Sequence, residues 1–282
     1  MSDQLHRFVF DNCELRGVMV HLDASAKRNL DAHAYPPSVR ELLAQALAAV
    51  AMLTSTIKIK GRISLQLKGQ GHLSLLLAEC SDDFGLRAIA RVQQPISEKN
   101  FAELTQGGVL ALSLLPEAGT QYQGVVPLQG ASLMQCLEHY FAQSEQLATA
   151  IHIAYDGERV VGLLVQALPG AARDDVERIT ALTNTIKSDE LLHLPVETVL
   201  HRLFHEEQLR LFDAQALRFQ CRCSRDKMRN SLKLLDRAEL QDMLSEQGGI
   251  TVSCEFCNAS YRFDAIDVAA LDSETPGSSQ AH

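Results

Sequence analysis

The chain has 282 residues, 46% of them hydrophobic and 22% charged, an ordinary composition for a soluble globular protein and long enough for one large domain plus something smaller. Its formal net charge is −9, and from Cys221 onward seven Lys and Arg face ten acids, which argues against a partner held by phosphate neutralisation and disfavours a zinc-ribbon DNA reader. Met1-Ser-Asp-Gln-Leu-His-Arg-Phe8 has no apolar signal core and the longest apolar stretch, Ala46 to Leu53, falls far short of the roughly 18 residues of a membrane span, so a cytosolic protein without membrane contact is expected.

Residues 7–22 read as extended, with Phe8, Phe10, Val18 and Val20 around a polar middle. After Tyr35-Pro-Pro37, Ser38 and Glu41 have the spacing of a capping box, and Leu43, Leu47 and Val50 continue at helical spacing. That helix is apolar almost all round and is expected at the centre of the core. Ile63, Leu65 and Leu67 alternate with polar residues before Gly69-Gln-Gly71 turns the chain into Leu73 to Leu77, a hairpin pattern. The two glycines do not make a dinucleotide loop, because the third glycine and the following helix are missing. Further strands are predicted at 87–92, 109–115 and 121–128, with a second hairpin, 151–155 and 160–168, around Asp156-Gly157. Residues 132–146 read as a helix with Leu133, Leu137, Tyr140 and Phe141 on one face. Strands and helices do not alternate strictly, so the class is α+β, with mixed or antiparallel sheets around a central buried helix.

After Leu168-Pro-Gly170 the pattern turns helical: 174–187, then 195–211 with Pro195 in the first turn, then a connection through 212–220. Leu200, Leu203, Phe204 and Leu211 give the second helix an apolar face, and such helices hold mainly by docking. Ser224 can cap a helix to Leu235, Asp236 with Glu239 suggests a second capping box, and Gly248-Gly249 ends the next helix before an extended Ile250 to Val252. The chain therefore divides into an α+β core at 1–168, a helical linker at 169–218, a small C-terminal module at 219–270 and a tail at 271–282 read as disordered.

The module carries Cys221-Arg-Cys223 and Cys254-Glu-Phe-Cys257, separated by 30 residues. Two short turns presenting two sulfurs each can close a tetrahedral shell at about 2.3 Å, so these four are candidate ligands of one zinc ion. The odd total of seven cysteines fits thiols and metal ligands better than a disulfide framework, and Cys13, Cys80 and Cys136 are expected to be inert apolar fillers. His201 and His205 share a helix face, but Arg202 stands where a zinc protease has Glu, and a solvated face is the simpler reading. Deaminase, nucleophile-elbow and P-loop signatures are missing, so no enzyme activity is expected. A constitutive zinc-stabilised adaptor or nucleic-acid binder with purely structural cysteines is an alternative, and a thiol oxidoreductase using Cys254 and Cys257 a weaker one.

The sequence also resembles the heat shock protein 33 family, the redox-regulated bacterial holdase chaperones known as 33 kDa chaperonins. The resemblance lies in Phe219-Gln-Cys221-Arg-Cys223-Ser-Arg225, Glu239-Leu240, Met243-Leu244, Gly249-Ile250, Cys254-Glu-Phe-Cys257-Asn258 and Tyr261-Arg-Phe263-Asp264. It continues in Tyr122-Gln-Gly-Val-Val126, Tyr140-Phe141-Ala-Gln-Ser144-Glu145-Gln146 and the linker run Leu203-Phe204-His205-Glu206-Glu207. Ala148 departs from the family's proline, in a loop remote from the cysteines in sequence. The resemblance implies a stress-response chaperone of the cytoplasm whose Cys221, Cys223, Cys254 and Cys257 bind one zinc when reduced. It implies that oxidation pairs Cys221 with Cys223 and Cys254 with Cys257, expels the metal, unfolds the linker and permits a homodimer. It also implies that the exposed apolar surface then holds unfolding client proteins without ATP.

Overall fold

The computed structural model describes residues 3–93 and 100–273, and the chain divides into two compact units, Met1–Gln220 and Cys221–His282. In the first unit β1 (Gln4–Phe10) and β2 (Leu15–Leu22) form an antiparallel hairpin in which Phe8 pairs with Gly17. The expected single stretch over 7–22 is therefore two strands, and its polar middle is their turn. A helix that the pattern did not reveal follows, α1 (Ala24–Leu30), at seven residues too short to display a period. It is fixed by the buried Asn29, which donates to the Ser25 carbonyl (2.8 Å) and accepts from the Ala88 amide (2.7 Å).

Helix α2 (Pro37–Ser55) starts at prolines rather than at a capping box: Pro36 is the N-cap, Pro37 the first helical residue, and Ser38 makes no cap bond. Proline lacks the N–H that a first turn leaves unpaired, so it starts a helix without a side-chain acceptor. Residues Ala46 to Thr54 are all buried, because α2 packs against strands of both large sheets. The chain continues through β3 (Gly61–Gly69), β4 (Leu73–Ser81), β5 (Gly85–Val92), α3 (Phe101–Thr105), β6 (Gly108–Pro116) and β7 (Tyr122–Pro127). Next come α4 (Leu133–Tyr140), a π-helical turn (Phe141–Glu145), β8 (Thr149–Tyr155) and β9 (Val160–Ala167). The helix expected over 132–146 thus changes to π geometry in its last turn, where Glu145 Oε1 accepts from Tyr140 (2.8 Å) and from Tyr122 of β7 (3.2 Å).

The linker contributes α5 (Arg173–Thr183), α6 (Ser188–His193) and α7 (Val196–Phe204), then β10 (Leu209–Leu211), β11 (Gln215–Ala216) and β12 (Arg218–Phe219). One sheet has the order β10-β1-β2-β9-β8 with β11 also on β1, and the other β12-β5-β4-β3-β6-β7. Among the described residues the pairings in these two sheets are antiparallel except β12 on β5. The helix expected to reach Leu211 ends at Phe204, because Leu209–Leu211 pairs with the open edge of β1. One face of the first sheet, including Val18, Val20 and Leu22, joins the α2 core. Its other face, with Phe8, Phe10, Leu15, Met19, Leu163 and Val165, lies under Ile179, Leu191, Val199, Leu200, Leu203 and Phe204 of the linker helices. Coverage on both faces explains why every residue of β9 is buried and why that strand shows no polar alternation.

The second unit holds α8 (Arg225–Leu232), α9 (Arg237–Gln247), a hairpin of β13 (Ile250–Ser253) and β14 (Ser260–Phe263), and α10 (Ala265–Ser273). Ser224 caps α8 as expected, but α8 stops at Leu232 and Asp236 makes no side-chain cap bond. Its buried apolar core is Leu232, Leu240, Ile250 and Phe263. Of the predicted tail, Asp272 and Ser273 complete α10, and residues 274–282 lie outside the described residues.

Candidate metal centre

Cys221 and Cys223 stand immediately before α8, where the Ser224 hydroxyl accepts the Lys227 amide (3.2 Å) and the Lys227 ammonium donates to the Arg222 carbonyl (2.8 Å), fixing the peptide between the two sulfurs. Cys254 and Cys257 occupy the turn of the β13–β14 hairpin. There the Cys254 amide donates to Ala259 (2.9 Å), the Asn258 amide donates back to Cys254 (2.8 Å), and Asn258 takes φ 57° to close the loop. Asn tolerates this left-handed geometry better than most residues.

These two turns bring all four sulfurs within 4.8 Å of one another, with Cys221 to Cys254 at 3.6 Å and Cys223 to Cys257 at 3.4 Å. A tetrahedral ion bound at about 2.3 Å from each sulfur needs edges of about 3.8 Å, so the donor set and spacing fit one thiolate-bound ion. All seven cysteines are free. Cys254 is buried and the other three are partly exposed, so the cluster sits at the border of the small core. Burial raises the Cys221 and Cys257 thiols, Cys257 to about 12. Burial would raise Cys223 as well, but donation from Tyr261 and the neighbouring thiols overcomes it and brings Cys223 to about 7. The Tyr261 hydroxyl lies 3.1 Å from Cys223 Sγ, and that bond pushes Tyr261 up to about 12. Behind the cluster, Arg225 stacks on Phe263 (4.7 Å) and donates to the Arg262 carbonyl (2.8 Å) and to Asp267 (2.7 Å).

Tyr261 was legible only as part of the family-like run, because its link to Cys223 spans 38 residues and depends on hairpin register. Among the described residues the four cysteines form the one group of three or more potential ligands. His201 and His205 are exposed, their rings 5.9 Å apart. Cys80 and Cys136 are buried, whereas Cys13 is partly exposed in the β1–β2 turn. Gly69 ends β3 and Gly71 lies in the turn to β4, as the hairpin reading required.

A second feature concerns the linker. Phe204 is 1% exposed and meets Phe10 edge to face (5.1 Å) and Phe8 at a tilt (6.2 Å). Polar bonds tie the rim of this layer: Arg178 of α5 reaches Glu207 (2.9 Å), Glu207 accepts from Asn12 (2.8 Å), and Arg210 reaches Asp11 (2.6 Å). Further along, Arg218 pairs with Asp83 and the Gln220 amide donates to Leu86 (2.9 Å). The segment 209–220 is thereby strapped to both sheets, and Cys221 is the next residue.

No helix among the described residues is long and apolar enough to cross a membrane. The family model described as "Hsp33 protein" matches residues 3–264. A 33 kDa chaperonin of Shewanella frigidimarina is 43% identical over 273 residues, 96% of each chain, and that of Shewanella woodyi is 43% identical over 277 residues, 97% of each. The crystal structure of a 33 kDa chaperonin, a heat shock protein 33 homolog from Thermotoga maritima, superposes with a TM-score of 0.86 at 25% identity, covering 96% of this chain and 98% of that one.

Proposed function

The chain belongs to the Hsp33 family of chaperones, and on that premise we propose that it is a redox-regulated holdase, inactive while its four cysteines are reduced and metal-bound. We assign the domains as a core at 1–168, a linker at 169–218, a redox-switch module at 219–270 and a tail from 271. Chaperone families are not enzyme classes, and the partners proposed are unfolding proteins in the cytoplasm and, after oxidation, a second copy of the chain.

The observation that carries this reading is the four-sulfur cluster, placed one residue beyond the strap that ends the linker. Cys221, Cys223, Cys254 and Cys257 are the proposed zinc ligands. Bound zinc would hold all four sulfurs as thiolates and join the two turns, contributing on the order of 10 kcal/mol to a unit of this size. Among the described residues the unit's own apolar core has four buried side chains with partly buried ones around them, which at about 1.5–3 kcal/mol each give a term of the same order as the metal's. The entropy of ordering the module offsets it, so the ion decides whether the module stays folded. Oxidation to Cys221–Cys223 and Cys254–Cys257 disulfides removes the thiolate set. The new bonds close minimal loops and restrict the unfolded chain little, so they do not replace the lost cross-link.

Loss of order beyond Cys221 frees the end of the strap, and α5–α7 then depend on their own docking. Undocking uncovers Phe8, Phe10, Leu15, Met19, Leu163 and Val165 together with the inner face of α7, a continuous apolar surface suited to unfolded chains. The test is aggregation of a heat-unfolded client in the presence of the reduced, zinc-loaded protein and then of the peroxide-treated protein, with zinc release followed by a chelating dye. Suppression that appears with metal release and reverses on thiol reduction is expected. Metal release with no gain of suppression would reject the switch and favour a constitutive adaptor.

A further inference from the structure

The sulfurs of the cluster are not equivalent. The Cys221 sulfur faces that of Cys254 at 3.6 Å and the Cys223 sulfur faces that of Cys257 at 3.4 Å. Cys223 in addition accepts from a side-chain hydroxyl, that of Tyr261, at 3.1 Å. Tyr261 comes from β14, opposite Val252 of β13, on the strand that leaves the second cysteine turn. It therefore reaches back from the second pair to a sulfur of the first.

We propose that Tyr261 is a positioning residue that protects Cys223 from oxidants and electrophiles, its hydroxyl withdrawing charge from that one sulfur so that attack begins elsewhere in the cluster. The inference rests on the metal-bound reading. With all four sulfurs held as thiolates, thiolate fraction no longer separates them, and what remains is accessibility and the charge each sulfur keeps. Cys221, Cys223 and Cys257 are all partly exposed, so accessibility alone does not single out Cys223. A hydrogen bond from a hydroxyl to a thiolate stabilises the anion and weakens it as a nucleophile. In the reaction with peroxide a thiolate attacks one oxygen, an S–O bond forms as the O–O bond breaks, and hydroxide leaves to be protonated to water. The sulfur is oxidised by two electrons to sulfenic acid and the peroxide is reduced by two. A second thiolate then attacks that sulfur, forming S–S and expelling hydroxide. The hydroxyl of Tyr261 slows the first step at Cys223 and leaves the chemistry itself unchanged.

The experiment uses the full-length, zinc-loaded chain, with zinc content measured first. Site-resolved mass spectrometry follows the initial rate of iodoacetamide labelling and of peroxide oxidation at each cysteine. In the wild type Cys223 is expected to be slower than both Cys221 and Cys257. Tyr261→Phe keeps the ring and loses the hydroxyl, and it should accelerate Cys223 about tenfold, change the other three less than twofold, and weaken zinc in competition with a chelator by about tenfold. Val252→Ala disturbs the same hairpin without touching the hydroxyl and should leave the order of the sulfurs as in the wild type. Wild-type Cys223 reacting first, or a Tyr261→Phe protein with the wild-type order or with all four sulfurs equally accelerated, would overturn the inference alone. A wild-type chain that holds no zinc would overturn the metal reading and the inference with it.

Discussion

Truncating Phe204 to alanine is the most direct perturbation of the layer that covers the first sheet. The ring is 1% exposed, closes the C-terminal end of α7 and contacts both Phe8 and Phe10. Removing a fully buried Phe side chain costs about 3–5 kcal/mol, from lost transfer energy and the cavity left behind. Two of the neighbours that would have to collapse into that cavity, Phe8 and Phe10, lie in β1, which is paired on both sides by β2 and by β10 and β11, so little relaxation is available from that side. The cost falls on docking: α5–α7 open with a free energy lowered by that amount, while the α2 core is untouched. At about 1.4 kcal/mol per tenfold, amide protection in residues 173–204 should fall by roughly two to three and a half orders of magnitude, within the limit set by global stability. Hydrogen exchange of the reduced, zinc-loaded Phe204→Ala protein reads this, with β3–β6 and β13–β14 as internal references. Wild-type protection across α5–α7 would show that this ring does not hold the layer. Equal loss throughout β3–β6 would show that the layer does not open separately from the core. If undocking exposes the client surface, the same variant should suppress aggregation while still reduced.

His21 sits on the linker-covered side of β2, 92% buried, and its pKa is lowered to about 4 by burial first, with the charge of Arg159 adding to it. A lowered folded pKa means that the unfolded chain takes up the proton first, so this stabilisation is complete above pH 6.5 and is lost as pH falls toward 4. The loss is about 2 kcal/mol by pH 5, and a His21→Leu variant should show a correspondingly flatter fall in urea midpoint between pH 7 and 5; equal slopes would refute it. Arg178→Ala leaves the nearly buried Glu207 with Asn12 as its remaining partner, and with the arginine itself half exposed a cost of about 1–2 kcal/mol is expected. It should appear as faster amide exchange in α5 and not in α8. Cys254→Ala removes the most buried of the four clustered cysteines and should abolish stoichiometric zinc binding and the exchange protection of α9 and β13–β14, while β3–β6 keep theirs. Retained protection in β13–β14 would mean that the small core folds without the metal.

The sequence alone determined what depends on neighbours along the chain. An apolar run from Ala46 to Leu53 that follows Pro36-Pro37 and continues the helical spacing of Leu43, Leu47 and Val50 reads as a buried helix, alternation on either side of Gly69-Gln-Gly71 reads as a hairpin, and two tight cysteine pairs need only be brought together once to make a ligand set. The α+β class and the family followed from these. Tertiary structure decided what depends on partners distant in sequence. Leu209–Leu211 reads equally well as a helix end, and it becomes a strand because the edge of β1 has unpaired backbone groups to offer. The prolines displaced Ser38 as the start of α2, a choice the capping pattern could not anticipate. No local pattern says that α5–α7 cover the second face of a sheet whose first face is already packed, since their apolar stripe names no partner. Nor does any spacing connect Tyr261 to Cys223: that hydrogen bond exists because the register of β13 on β14 and the turn before α8 place two atoms, 38 residues apart in the chain, 3.1 Å apart in space.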